Sequence, residues 1–360
     1  MKKIWIVSLV IGVAFILVGC QDSKLKYTLK PTDDAEVKYL DGGWVATWAD
    51  EFNGDTLDTN KWNYEIGTGQ WGWGNNEAQY YTYENHEVSE GTLKIQARHE
   101  NKNSSAYTSS RLTTKNKGEF TYGRIQVRAK LPKGRGLWPA IWMMPAQSKF
   151  GGWPKSGEID IMEYVGYQPY VTHSALHTDI HNGSNGKNHK GELEYPELED
   201  KFQLFELIWE PGVITTYINE FEVLKYVYTP HFNSEYEAHQ VFPFYEDFFL
   251  ILNLAIGGNW GGIQGIDDSI FPQTFEIDYV RVYQRDYAML DKEKPEAPLG
   301  IRSSTQLKNS LYWNAAADDY AIAEYEVYVD GELYGKTKLN QITLKGLKSN
   351  QSYDVTVLAI

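Results

Sequence analysis

The sequence predicts an all-β chain: a large antiparallel β-sandwich followed by a small module of short strands. Three observations carry this expectation. Segments of two-residue alternation recur from about Gly42 to Arg285 and resume after residue 297. Turn signals separate them. No stretch shows a long helical period, an internal repeat or a low-complexity block. The 360 residues suit a large domain plus a small one, and 42% hydrophobic residues are enough for packed interiors.

The elements follow in chain order. MKKIWIVSLVIGVAFILVGC opens with Lys2 and Lys3 and continues with an apolar run from Ile4 to Val18. That run is shorter than the roughly 20 residues of a spanning helix, so a signal peptide over 1–19 is expected rather than a transmembrane anchor. Leu17-Val18-Gly19-Cys20 resembles a bacterial lipobox, which implies lipidation of Cys20 and an exported lipoprotein held at a membrane of the cell envelope or surface. Cys20 is the only cysteine, so the exported chain holds its fold without disulfides. Residues 20–41 are polar and mixed and read as a tether. In GRIQVRAKL, Ile125, Val127, Ala129 and Leu131 alternate with polar neighbours. LFELIWEPGVITTYI reads as two strands around a Pro211-Gly212 turn, and FFLILNLAIGG as a nearly continuous apolar strand. In TFEIDYVRVYQ, the alternation puts Phe275, Ile277, Tyr279, Arg281 and Tyr283 on one face. A large domain over 42–286 results. LDKEKPEAP, residues 290–298, is charged and Pro-bearing and marks a linker placed over 287–296, and 297–360 carries SLYWNA, EYEVYVDG and SYDVTVLAI.

Composition narrows the partner. Lys plus Arg is 34 against 48 Asp plus Glu, a formal charge of −14. Polyanion binding needs a basic face, so nucleic acid is excluded as the main partner and a neutral ligand fits better. Twelve Trp and 26 Tyr supply aromatic faces of the kind that pack cores and also seat the apolar faces of sugars.

GEIDIMEYVG, residues 157–166, places Glu158, Asp160 and Glu163 in an apolar run. On a regular strand 158, 160 and 162 share a face and 163 points away. One extra residue, a β-bulge with Met162 as the natural candidate, turns Glu163 back toward Glu158 and Asp160. The two glutamate backbones are then roughly 13 Å apart, a span that two inclined side chains can close to the roughly 5 Å of a retaining glycosidase pair. One acid would attack an anomeric carbon as the ion, and the other, its pKa raised by the first, would protonate the leaving oxygen. Three other readings stand beside this one: a solvated strand face, a metal site with His173, His177 or His181, and a site that binds sugar without cleaving it.

SGEIDIMEYVG resembles the signature of glycoside hydrolase family sixteen in its bulged form, with two residues between the Asp and the second Glu. Mixed-linkage lichenases usually carry one residue there, so Met162 points to a laminarinase-like member. WADEFNG, NNEAQYYT, GLWPAIWMMP, ILNLAIGGNWGG and IDYVRVYQ agree, and the resemblance covers about 42–286. It implies a concanavalin-like β-jelly-roll with a sugar cleft across its concave sheet, Glu158 as nucleophile, Asp160 as its helper, Glu163 as acid/base, and His177 beside the acid/base. It implies sugar contacts from Trp138, Trp142, Trp153 and Trp260 and from Asn76 and Glu77. It further implies a structural calcium held by Glu51, Asp278 and a carbonyl near Gly91, with no cofactor for catalysis. The expected substrate is a neutral β-glucan, cut at internal β-1,3 bonds by a monomer. The tail resembles a fibronectin type III module, with Trp313 in its core and Leu347 and Tyr353 at its corner; against that pattern, a last strand after Ile360 is missing.

Overall fold

The computed structural model describes residues 29–360 apart from 200, 230–234, 286–292, 305–306, 308, 319–321, 323 and 349–350. Cys20 and the leader therefore lie outside the described residues, as does most of the linker expected over 287–296. The chain forms two compact units, 29–228 with 239–285, and 229–238 with 286–360.

The larger unit is a β-jelly-roll sandwich. One sheet runs in the order His189–Glu194, Val171–His177, Glu158–Tyr164, Leu137–Pro145, Phe248–Ile256, Arg111–Thr113, Asn63–Tyr64. We call this the inner sheet. The outer sheet contains Phe221–Val227, Val213–Ile218, Gln203–Glu210, Gly123–Lys130, Gln273–Arg285 and Thr92–Lys102 as consecutive neighbours. The alternation in 123–131 becomes structure directly: Ile125, Val127 and Ala129 are fully buried. Phe248–Ile256 is buried along its whole length, as its unbroken apolar run requires of a central strand. The two strands around Pro211-Gly212 pair as a hairpin closing at Glu210 and Val213.

The core lies between the sheets. From the inner sheet, Ile141 faces Leu252 on one side and Met162 on the other, while Met143 lies beside Ile159 and Leu250. Trp209 of the outer sheet meets Phe248 edge-on at 5.5 Å between centroids, and its indole N–H donates to the Phe244 carbonyl. That bond removes the cost of burying the indole nitrogen.

Two sequence expectations are corrected here. The last expected strand does not keep one face throughout. Opposite Gly123–Lys130, Arg128 pairs with Tyr279 and Ala129 with Ile277, so Asp278 is an unpaired extra residue. Phe275 and Ile277 before the bulge, and Val280 and Val282 after it, therefore share the core-facing side, while Arg281 and Tyr283 are buried on the other. Residues 29–41 of the expected tether pack onto the sandwich. Tyr39–Leu40 pairs with Trp44–Asp50, and Ala35 is buried in a cluster with Trp44, Ala46, Ala49 and Tyr283. Small apolar residues scattered among charges were enough to cover this patch.

The smaller unit has two three-stranded sheets, Arg302–Ser303 with Ser310–Tyr312 and Gln341–Thr343, and Glu332–Thr337 with Tyr325–Val329 and Val355–Ala359. Leu311, Trp313, Tyr325, Val327, Leu344 and Val357 are its buried core, and the Tyr353 hydroxyl accepts the Lys348 N–H at 2.8 Å.

Candidate active site

Residues opposite one another in an antiparallel pair project to the same side. Glu158 lies opposite His177, Glu163 opposite His173 and Ala140, and Asp160 opposite Trp142. Asn253 lies opposite Ala140 and Arg111, and Trp138 shares the face of Ala140 through its two-residue offset. The register thus assembles the three acids, both histidines, Trp138, Trp142, Asn253 and Arg111 on one face of the inner sheet. The opposite face is the core.

A bulge makes this possible. Toward Leu137–Pro145, Met162 opposes Ile141 and Asp160 opposes Trp142, so Ile161 is the residue without a partner. Toward Val171–His177, Ile161 and Met162 together face Ser174 alone. The expectation of a bulge holds, but Met162 is not the extra residue on the tryptophan-strand side. Both residues are apolar and nearly or fully buried, so residue type could not separate them.

Burial, together with repulsion between neighbouring acids, pushes Glu158 up to about 8. Burial first, then the charge of Asp160, does the same to Glu163, and burial raises Asp160 to about 8. The three carboxyl groups therefore share their protons near neutral pH instead of ionising together. The tautomer of His177 is fixed by its backbone partner. Its Nδ1 accepts the Gly183 N–H at 2.9 Å, which places the proton of the neutral ring on Nε2. That nitrogen is 3.2 Å from Asp160 Oδ2 and 3.8 Å from Glu158 Oε1. Glu158, Asp160 and His177 also form the one cluster of three potential metal-ligating groups found among the described residues.

The tryptophans divide by role. Trp138 donates its indole N–H to Glu163 Oε1 at 3.1 Å and meets Trp260 edge-on at 5.5 Å. Trp260 in turn packs on His173 at 5.0 Å. Trp142 donates to Asn253 Oδ1 at 2.7 Å, and the Arg111 guanidinium lies over its ring at 4.7 Å. Trp153, 46% exposed, lies 5.8 Å from the His177 ring. Glu77 accepts from Gln79, Tyr81 and Asn75, and burial raises its pKa. Asn76 donates to Asn259 Oδ1 at 2.8 Å, tying its loop to the glycine-rich turn before Trp260.

Sequence reasoning missed Arg111 and Asn253. Arg111 stacks on both Trp73 and Trp142 and pairs with Glu65. Asn253 accepts from Trp142 and donates to Tyr81. The signal for Asn253 was present: it is the one polar residue in FFLILNLAI.

The expected calcium ligands do not fit a metal as arranged. Both oxygens of Glu51 accept from Arg281, at 2.7 and 2.8 Å, and Asp278 is paired with Arg128. Calcium needs six or more free oxygen ligands, and guanidinium groups occupy these. Gly91 is the second residue of a two-residue hairpin turn, with Glu90 and Gly91 both at positive φ, and the turn itself accounts for the glycine.

The model for Glycosyl hydrolases family 16 matches residues 72–281. A β-glucanase of Rhodothermus marinus is 43% identical over 248 residues, 67% of this chain and 85% of that protein. A glucan endo-1,3-β-glucosidase of Cryptopygus antarcticus is 38% identical over 68% of this chain and 93% of its own length. The X-ray structure of the laminarinase from Rhodothermus marinus superposes with a TM-score of 0.64 at 41% identity, covering 67% of this chain and 98% of that one. With the carboxylate face inside the matched segment, the chain belongs to glycosyl hydrolase family 16 and is a glycosidase.

Proposed function

We propose that this glycosidase is an endo-acting, retaining β-1,3-glucanase of the laminarinase type. One observation carries the reading: the bulge that brings Glu163 to the face of Glu158 and Asp160. In the proposed reaction Glu158 attacks the anomeric carbon while Glu163 passes its proton to the glycosidic oxygen. The freed sugar leaves and a covalent glycosyl-enzyme remains. Glu163, now ionised, takes a proton from water as that water attacks the same carbon and the bond to Glu158 breaks, so the carboxylate is released and the β configuration returns. Burial, and then negative charge on Asp160, keeps Glu163 protonated for the first step, because desolvation and a like charge both disfavour its ionisation. The Nε2–H of His177, 3.2 Å from Asp160 and 3.8 Å from Glu158, is within reach of both carboxylates as Glu158 passes between its charged and bonded states. Trp138 fixes Glu163 by one oxygen. Trp142, Trp153 and Trp260 offer ring faces to the sugars. Family 16 chemistry needs no catalytic cofactor.

Glu158→Gln should lose turnover of laminarin and keep glucan binding; undiminished turnover would refute the nucleophile assignment. Proton NMR of the first product should show the β anomer. Reducing-sugar release from laminarin should exceed that from agarose and lichenan, and the reverse order would move the substrate to another polysaccharide. We place the enzyme at a membrane through a lipid on Cys20, with the small β-unit as a spacer. Radiolabelled palmitate incorporated by the wild type and lost in Cys20→Ser tests the anchor.

A further inference from the structure

The bulge that turns Glu163 leaves Ile161 without a cross-strand partner on the Leu137–Pro145 side. Ser174, which faces the bulge on the neighbouring strand, donates its hydroxyl to the Ile161 carbonyl at 2.8 Å. Ser174 Oγ in turn accepts from Thr216 Oγ1 at 2.9 Å. Thr216 belongs to the outer sheet, in Val213–Ile218. The chain Thr216 to Ser174 to Ile161 therefore crosses the sandwich interior.

Local geometry explains why two short side chains can span that gap. Facing sheets usually lie about 10 Å apart. Here they nearly touch: Gly191, opposite Ser174, sits so close to the outer sheet that a Cβ on it would lie 1.9 Å from the Val223 carbonyl oxygen. Ser174 is 1% exposed and Thr216 is fully buried, so no bulk water is available to replace either hydroxyl. An orphaned carbonyl in such a place is costly, and the lowest-cost relief is to shift the bulge.

We propose that Ser174 and Thr216 are positioning residues for catalysis, whose hydroxyl relay holds the Ile161–Met162 bulge and thereby the direction of Glu163. The inference rests on the reading of Glu163 as the acid/base. Neither residue touches the face where substrate binds. Their effect passes through the backbone between Asp160 and Glu163. A displaced Glu163 loses proton delivery and leaves the tryptophan platforms in place.

The test compares kcat/KM on laminarin with that on a 2,4-dinitrophenyl β-laminarioligoside, whose leaving group departs without a proton. Glu163→Gln is the control. Ser174→Ala should lower kcat on laminarin roughly 10- to 100-fold with little change in KM, and most of the loss should disappear on the dinitrophenyl substrate. Thr216→Val, nearly isosteric, should show the same contrast more weakly, and Thr216→Ser should restore activity. If Glu163→Gln loses equally on both substrates, the acid/base reading fails. If Glu163→Gln shows the contrast while Thr216→Val turns over both substrates like the wild type, or loses equally on both, the positioning proposal is overturned. Should Ser174→Ala not fold, the two Thr216 variants decide the outcome alone.

Discussion

Glu163 is a partly buried acid whose carboxyl is held at about 8 against an ordinary value of 4.5, with desolvation as the leading cause. Its folded pKa lies above the unfolded one. The fold is therefore undisturbed by this group below about 4.5 and loses stability progressively as pH rises toward about 8. Glu163→Gln removes the titration and keeps an acceptor for the Trp138 N–H. Its melting temperature should match the wild type near pH 4 and exceed it by about 2–4 °C per kcal/mol relieved near pH 8; a difference flat across pH in calorimetry would contradict the buried-acid account. Trp138 supplies a second residue-scale outcome. Its N–H stabilises the charged form of Glu163, so Trp138→Phe should raise the Glu163 pKa and move the alkaline limb of the kcat/KM profile to higher pH. At this scale the acids were legible because carboxylates in an apolar run demand a reason. Arg111 and Ser174 were not, since an arginine in SRLTT and a serine in THSAL gain their meaning only from strands far away in sequence.

Two bulges share one sequence signature, a change of parity in the buried set. In EIDIMEY the acids stand at 158, 160 and then 163; in TFEIDYVRVY the core-facing aliphatic and aromatic residues stand at 275, 277 and then 280, 282. The first break was legible because chemistry drew attention to it. The second was passed over because Tyr279, Arg281 and Tyr283 make an equally plausible alternating face. The parity rule makes an unusual pair of variants informative. Deleting Met162 leaves the acids at alternate positions of an unbulged strand, still on one face, so measurable laminarin turnover should survive. Deleting Ile161 together with Met162 instead puts the last acid at an odd offset from Glu158 on an unbulged strand, hence into the core, and turnover should vanish with the melting temperature lowered. Gly166, which ends this strand's motif, tests the element's packing. A Cβ there would lie 1.8 Å from the Gly134 carbonyl oxygen, so Gly166→Ala must push apart the loop that leads into Trp138. The expected cost is about 1–3 kcal/mol or more, read as a lowered denaturation midpoint, and an unchanged midpoint would mean that loop moves freely.

For the whole molecule, the question is what holds a sandwich of this size together when its sequence has one cysteine. Burial supplies most of the stability, and long-range polar ties supply register. Glu51 and Arg281 are separated by 230 residues and each is under a tenth exposed. The pair joins the end of the strand Trp44–Asp50 with the last strand of the sandwich. The Glu36 N–H also donates to Glu51, which brings the packed segment 29–41 into the same network, and the Arg281 guanidinium lies 3.7 Å from the Tyr279 ring centre. Family resemblance assigned this corner to calcium; the carboxylates it named are neutralised instead by Arg281 and Arg128. If guanidinium groups serve as the clip, excess EDTA should leave the melting temperature unchanged, and added calcium should not raise it. Arg281→Met should leave Glu51 buried and uncompensated, at a cost of about 3–5 kcal/mol. Since each kcal/mol shifts a domain of this size by about 2–4 °C, calorimetry should show a fall on the order of 10 °C. A chelator-induced drop of that size in the wild type, with Arg281→Met nearly neutral, would return the corner to a metal and remove the ion pair as the clasp between the first and last strands.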